Sequence, residues 1–144
     1  MRIRSIATVV ALIAVGACGG DDKPATGPGG TLSGTYTLQT VNGGGLPATV
    51  LQLGTYKAEI LSGNITLNDN NTFTGVTTVR ETTDGVADDP YTASCPGTYT
   101  RSGSTVTFTE PETDDCGGTY TATWSTGNTL NVNFGGGLTA VFKK

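Results

Sequence analysis

The chain has 144 residues, 12 acids against 8 bases, no histidine, and a formal charge of −4 at pH 7. That is one small domain's worth of chain, long enough for a single core. Without histidine there is no Ser-His-Asp or Cys-His arrangement and no histidine-built zinc site, and an acidic balance with no basic cluster has nothing to displace counterions from a nucleic acid.

In chain order, Arg2 and Arg4 give a positive start, followed by an uncharged, mostly apolar run from Ile6 to Val15. As a helix this run would rise about 15 Å, half of the roughly 30 Å hydrocarbon layer, so it is too short to span a membrane stably. Residues 1–17 therefore read as a signal peptide. The run closes on Val15-Gly16-Ala17-Cys18, which resembles the lipobox of bacterial lipoproteins. The resemblance implies lipid in thioether linkage on Cys18, cleavage between Ala17 and Cys18, and acylation of the new amine. Two or more acyl chains anchor stably where one holds only marginally. The protein is expected to be exported and attached to a bacterial cell membrane through Cys18. Gly19, rather than aspartate, beside that cysteine resembles lipoproteins sent on to an outer membrane where there is one. Cleavage would remove Arg2 and Arg4, leaving 6 bases against 12 acids and a formal charge of −6.

From Gly19 to Gly30 no apolar residue is larger than alanine or proline. Such a stretch cannot bury enough surface to offset its ordering entropy, so 18–32 is expected to be the lipidated cysteine and a flexible tether. A coil of this length has ends roughly 20 Å apart. The domain proper is 33–144.

There the pattern becomes alternation. Tyr36 and Leu38 alternate with Thr35, Thr37 and Gln39; Val106 and Phe108 with Thr105, Thr107 and Thr109; Tyr120, Ala122 and Trp124 with Thr119, Thr121 and Thr123; Leu130, Val132 and Phe134 with Thr129, Asn131 and Asn133. Period two marks half-buried strands, and 28 threonines with 22 glycines leave no room for a major helix. Turn residues predict nine strands, near 34–41, 48–53, 56–67, 72–82, 92–101, 104–110, 118–125, 128–134 and 138–143. A bulge is expected at Ser62-Gly63, where the alternation breaks. An antiparallel meander of this size exposes its edges unless it closes, so the expected fold is all-β, an up-and-down barrel of eight or nine strands.

Gly34-Thr35-Tyr36-Thr37-Leu38, Val41-Asn42-Gly43 and Leu46-Pro47 resemble the opening of small lipocalin-like and META-type bacterial domains. Those families begin with a strand holding an aromatic and a leucine, turn at Asn-Gly, and continue as an antiparallel barrel. The resemblance speaks for fold and hardly for function.

After export Cys18 is taken by lipid, which leaves Cys95 and Cys116 as an even pair in an oxidising compartment, most simply a disulfide. In a meander the loops at 84–90 and 111–117 share an end. Asp84, Asp88, Asp89, Glu110, Glu112, Asp114 and Asp115 would line that mouth. No Asp-x-Asp-x-Asp-Gly spacing occurs in either loop, which favours a solvated rim over a calcium site, so no metal and no cofactor is expected.

The aromatics Tyr36, Phe73, Tyr99, Phe108, Tyr120, Trp124, Phe134 and Phe142 all fall on the inward face. They either fill the barrel or, where it stays hollow, line an apolar pocket. The 112 residues after the tether leave few side chains to spare, which favours filling. Any ligand is expected inside the barrel, against Trp124, Tyr36 and Phe108 first. Paired carboxylates could still serve a glycosidase, but they need a cleft and a raised pKa, and no enzyme is expected. The leading reading is a monomeric envelope lipoprotein that binds a small apolar or amphipathic ligand. A ligand-free structural or protein-interaction module is the alternative, and a protease inhibitor presenting a disulfide-braced loop is a third. A hollow of roughly 300 Å³ or more at one barrel end separates the first from the second.

Overall fold

Threonine and β-branched or aromatic residues in strict alternation suit a pleated surface with one face buried, and ten strands form. The computed structural model describes residues 30–113 and 116–144. The 1–17 segment, Cys18, most of the 18–32 stretch, Asp114 and Asp115 lie outside the described residues. The strands are β1 (Gly34–Val41), β2 (Ala48–Leu53), β3 (Tyr56–Leu67), β4 (Thr72–Thr83), β5 (Val86–Ala87), β6 (Tyr91–Ser102), β7 (Thr105–Glu110), β8 (Gly118–Ser125), β9 (Thr129–Gly135) and β10 (Leu138–Lys143). No helix occurs among the described residues.

Eight of the strands close on themselves in the order β3-β1-β10-β9-β8-β7-β6-β4, with β4 returning to pair with β3. Every pairing is antiparallel. This is the expected up-and-down barrel, consistent with the lipocalin-like architecture implied by residues 34–47. The closure depends on β1. Its first half pairs with β3, Gly34 opposite Leu67 and Thr37 opposite Asn64, and its second half pairs with β10.

Two strands stand outside the closed ring. β2 pairs only with the first half of β3, Ala48 to Ile60 through Leu53 to Tyr56, and Leu51 and Leu53 remain exposed. β5 arises because Asp84 (φ 53°) and Gly85 (φ 81°) take the left-handed conformation and fold Val86 and Ala87 back on Thr83 and Thr82. That is hairpin geometry inside what the sequence presents as a single loop. Asn128 (φ 54°) is likewise left-handed, so β9 begins at Thr129 and not at 128. The β3 bulge falls one step before its expected place. The register passes from Ile60↔Val79 to Ser62↔Thr78, leaving Leu61 unpaired. The extra residue resets the alternation so that Ile60 and Ile65 both face inward, opposite Val79 and Gly75.

The core fills one half of the barrel. Trp124, Tyr36, Phe73, Phe108, Leu67, Leu130, Val106 and Val132 are its fully buried side chains. The end carrying the turns at 68–71, 103–104 and 126–128 is sealed. There Tyr36 donates its hydroxyl to the Leu32 carbonyl at 2.7 Å, and Tyr99 donates to the Asn68 carbonyl at 2.6 Å. Lys144 Nζ donates to the carbonyls of Thr31 and Ser33. The Arg101 guanidinium lies 4.6 Å over the Trp124 ring. Burial pushes the Tyr36 phenol up to about 12, because its anion would have no water to stabilise it.

At the opposite end, Cys95 and Cys116 form a disulfide with their α-carbons 5.5 Å apart. It ties the 111–117 loop to β6 and closes a loop with a sequence separation of 21. Replacing both cysteines by serine is expected to lower stability by about 3 kcal/mol in chemical denaturation, through the larger entropy of the unlinked unfolded chain.

Candidate functional site

The hollow lies at the disulfide end, and it exists because the inward positions there are small. On β4 the inward residues after Phe73 are Gly75, Thr77 and Val79, and on β6 they include Ala93 and Cys95. These side chains leave unfilled the space that Phe, Tyr, Trp and Leu occupy in the sealed half. The cavity measures about 540 Å³, within the range of small-molecule sites. Gly75, Thr77, Val79, Ala93 and Cys95 line it along with Ile65, Tyr91, Glu110, Tyr120, Phe134 and Phe142. A second, far smaller space of about 30 Å³ lies among Leu38, Val41, Ile60 and Ala140.

The eight inward aromatics divide between the two halves. Tyr120, Phe134 and Phe142 border the hollow. Phe134 is still 38 % exposed, because the face it turns inward meets open space. Tyr36, Phe73, Tyr99, Phe108 and Trp124 belong to the packed core, and none of them lines the cavity. A file of rings connects the halves: Phe73 meets Phe108 edge-on at 4.9 Å, Phe108 stacks on Tyr120 at 5.0 Å, and Tyr120 tilts against Phe134 at 4.9 Å. Filling and hollowness thus both occur, at different heights along one barrel. A ligand in the hollow would meet Tyr120, Phe134 and Phe142 and not, as expected from the sequence, Trp124, Tyr36 and Phe108.

Glu110 is the polar centre of the site. It ends β7 on the same inward parity as Val106 and Phe108, and it lies opposite Gly118. Tyr120 donates its hydroxyl to Glu110 Oε1 at 2.8 Å, and the Gly117 N–H donates to Oε2 at 3.2 Å. Burial drives the Tyr120 phenol far above its ordinary range, with the hydrogen bond to Glu110 and its negative charge adding to the effect. Tyr120 therefore stays a neutral donor at every physiological pH.

Of the seven acids expected at one mouth, Glu110 lines the cavity. The loops at 84–90 and 111–117 do share an end. Asp84, Asp88 and Asp89, however, sit toward the tip of the long β4/β6 hairpin, some six or more residues beyond Cys95, or about 20 Å at strand rise. Among the described residues the one compact group of potential metal-binding side chains is Cys95, Glu110 and Cys116. Its two sulfurs are bonded to each other, so they offer no thiolate. The ion pairs among the described residues join Glu59 to Lys57 at 3.1 Å and to Arg80 at 3.0 Å. Both cations hold the Glu59 carboxyl below its usual range, chiefly through their hydrogen bonds.

Compared with known proteins, the chain matches no protein-family model, no curated protein and no solved structure. The functional reading therefore rests on the hollow and the residues around it.

Proposed function

We propose that the protein is a membrane-anchored lipoprotein of the bacterial cell envelope whose barrel binds a small apolar or amphipathic ligand. The supporting observation is the hollow of about 540 Å³ at the disulfide end, larger than the roughly 300 Å³ at which small-molecule sites begin. Its walls combine apolar side chains with a few polar groups, which is the usual makeup of a site that binds by buried area and orients by hydrogen bonds. The anchor rests on Arg2, Arg4, the apolar run to Val15 and the Val15-Gly16-Ala17-Cys18 resemblance.

Calorimetric titration with neutral straight-chain alcohols of increasing length tests the ligand reading. Saturable binding should strengthen by roughly 0.8 kcal/mol per added methylene until the hollow is full, with little response to salt. Absence of binding at every length would leave the ligand-free envelope module as the better reading. Cys18→Ala tests the anchor, and lipid labelling and membrane retention should both be lost, since two acyl chains would be the source of stable attachment. Unchanged retention would contradict it.

A further inference from the structure

The hollow has a sign of charge. Among its described lining residues Glu110 is the one charged side chain. Glu110 forms no ion pair with a described residue, because both ion pairs are to Glu59. The donors it does have, the Tyr120 hydroxyl and the Gly117 N–H, are neutral and use one lone-pair site on each oxygen. A carboxylate has about four such sites, so among the described residues half of its accepting capacity has no donor and no cation balances its charge. Tyr120, which donates to Glu110, lies 4.9 Å from Phe134, and Tyr91 and Phe142 line other parts of the same hollow; the faces of such rings are electron-rich and attract ammonium groups. The 111–117 loop adds further acids in sequence and no base.

We propose that the ligand is an amphiphile with a cationic amine head, held at Glu110 with its apolar chain inside the hollow. The inference rests on the ligand reading above and narrows it. A protonated amine can donate to both carboxylate oxygens and rest against the aromatic faces, interactions that a neutral head makes more weakly. A fatty-acid carboxylate would meet like charge in a partly enclosed site, so fatty acids are the disfavoured amphiphiles.

The test compares three ten-carbon probes below their micelle concentrations at neutral pH: decylammonium, 1-decanol and decanoate. Decylammonium should bind at least about tenfold more tightly than decanol, with decanoate weakest. Raising salt should shrink the decylammonium advantage and leave decanol unchanged. In Glu110→Gln, which keeps an acceptor for Tyr120, the advantage should fall to within about twofold while decanol binding persists. Should that variant fail to fold, the salt response of the wild-type protein decides. Decanol binding with no preference for decylammonium, a preference indifferent to salt, or a preference that survives Glu110→Gln would overturn the cationic head and leave the hollow as a ligand site. Failure of all three probes to bind would overturn both readings.

Discussion

Gly97→Ala should lower stability by about 3 kcal/mol, at the upper end of what overpacking a core costs. Gly97 lies directly opposite Phe73 in the β4/β6 ladder. A methyl group built on it would fall 2.5 Å from Phe73 Cε1 and 2.9 Å from Cζ, and would run into the backbone oxygen of Thr109. The ring cannot move aside freely, because it is packed against Phe108. Nor can the carbonyl, which belongs to the β6/β7 pairing of Thr98 with Thr109. Urea denaturation should show a lower midpoint with an unchanged slope. Combining the change with Phe73→Leu should recover part of the loss, because the two sites share one space and their effects cannot add. Simple additivity of the two would mean that the ring over Gly97 is not the source of the cost.

Gly75→Leu, on the same strand two positions from Phe73, should do the opposite. A methyl group there meets only the Cys95 backbone oxygen, at an ordinary 3.8 Å, and Gly75 borders the hollow. The leucine should occupy space that a ligand would otherwise take, weakening decanol binding by about a hundredfold, a loss comparable to removing three or four methylenes of buried chain. Stability should hold or rise by about 0.5 to 1 kcal/mol, since a residue more restricted than glycine loses less entropy on folding. Circular-dichroism melting alongside calorimetry separates the two effects. Full affinity in a well-folded Gly75→Leu protein would place the ligand elsewhere.

These two glycines also mark what alternation in the sequence leaves undetermined. Alternation and turn chemistry made the strands legible: 48–53, 56–67, 118–125 and 138–143 form as the sequence pattern predicts. Alternation gives the face of a residue but not its height along the barrel axis, which depends on long-range register. Trp124 and Phe134 therefore looked equivalent as inward aromatics, although one lies in the sealed half and the other borders the hollow. The residues that mark the hollow are the small ones. Gly75 and Thr77 follow Phe73, and Ala93 and Cys95 precede Tyr99, all at alternate positions and all toward one end. Glu110 likewise carried its signal in continuing the Val106 and Phe108 parity, where seven acids read together suggested only a rim. The role of β2 was not legible, because Ala48–Leu53 reads as a strand like any other, and only its pairing with β3 alone shows that it stands outside the ring.

The most direct measurement is where a bound chain lies. Isotope-labelled protein saturated with 1-decanol should give intermolecular nuclear Overhauser contacts from the alkyl chain to Ile65, Val79, Tyr120 and Phe134, which line the hollow, and none to Trp124 or Val106, both fully buried in the packed half. Contacts to Trp124, contacts confined to the exposed side chains of Leu51, Leu53 and Val86, or no contacts at all would contradict a ligand site in the hollow at the disulfide end.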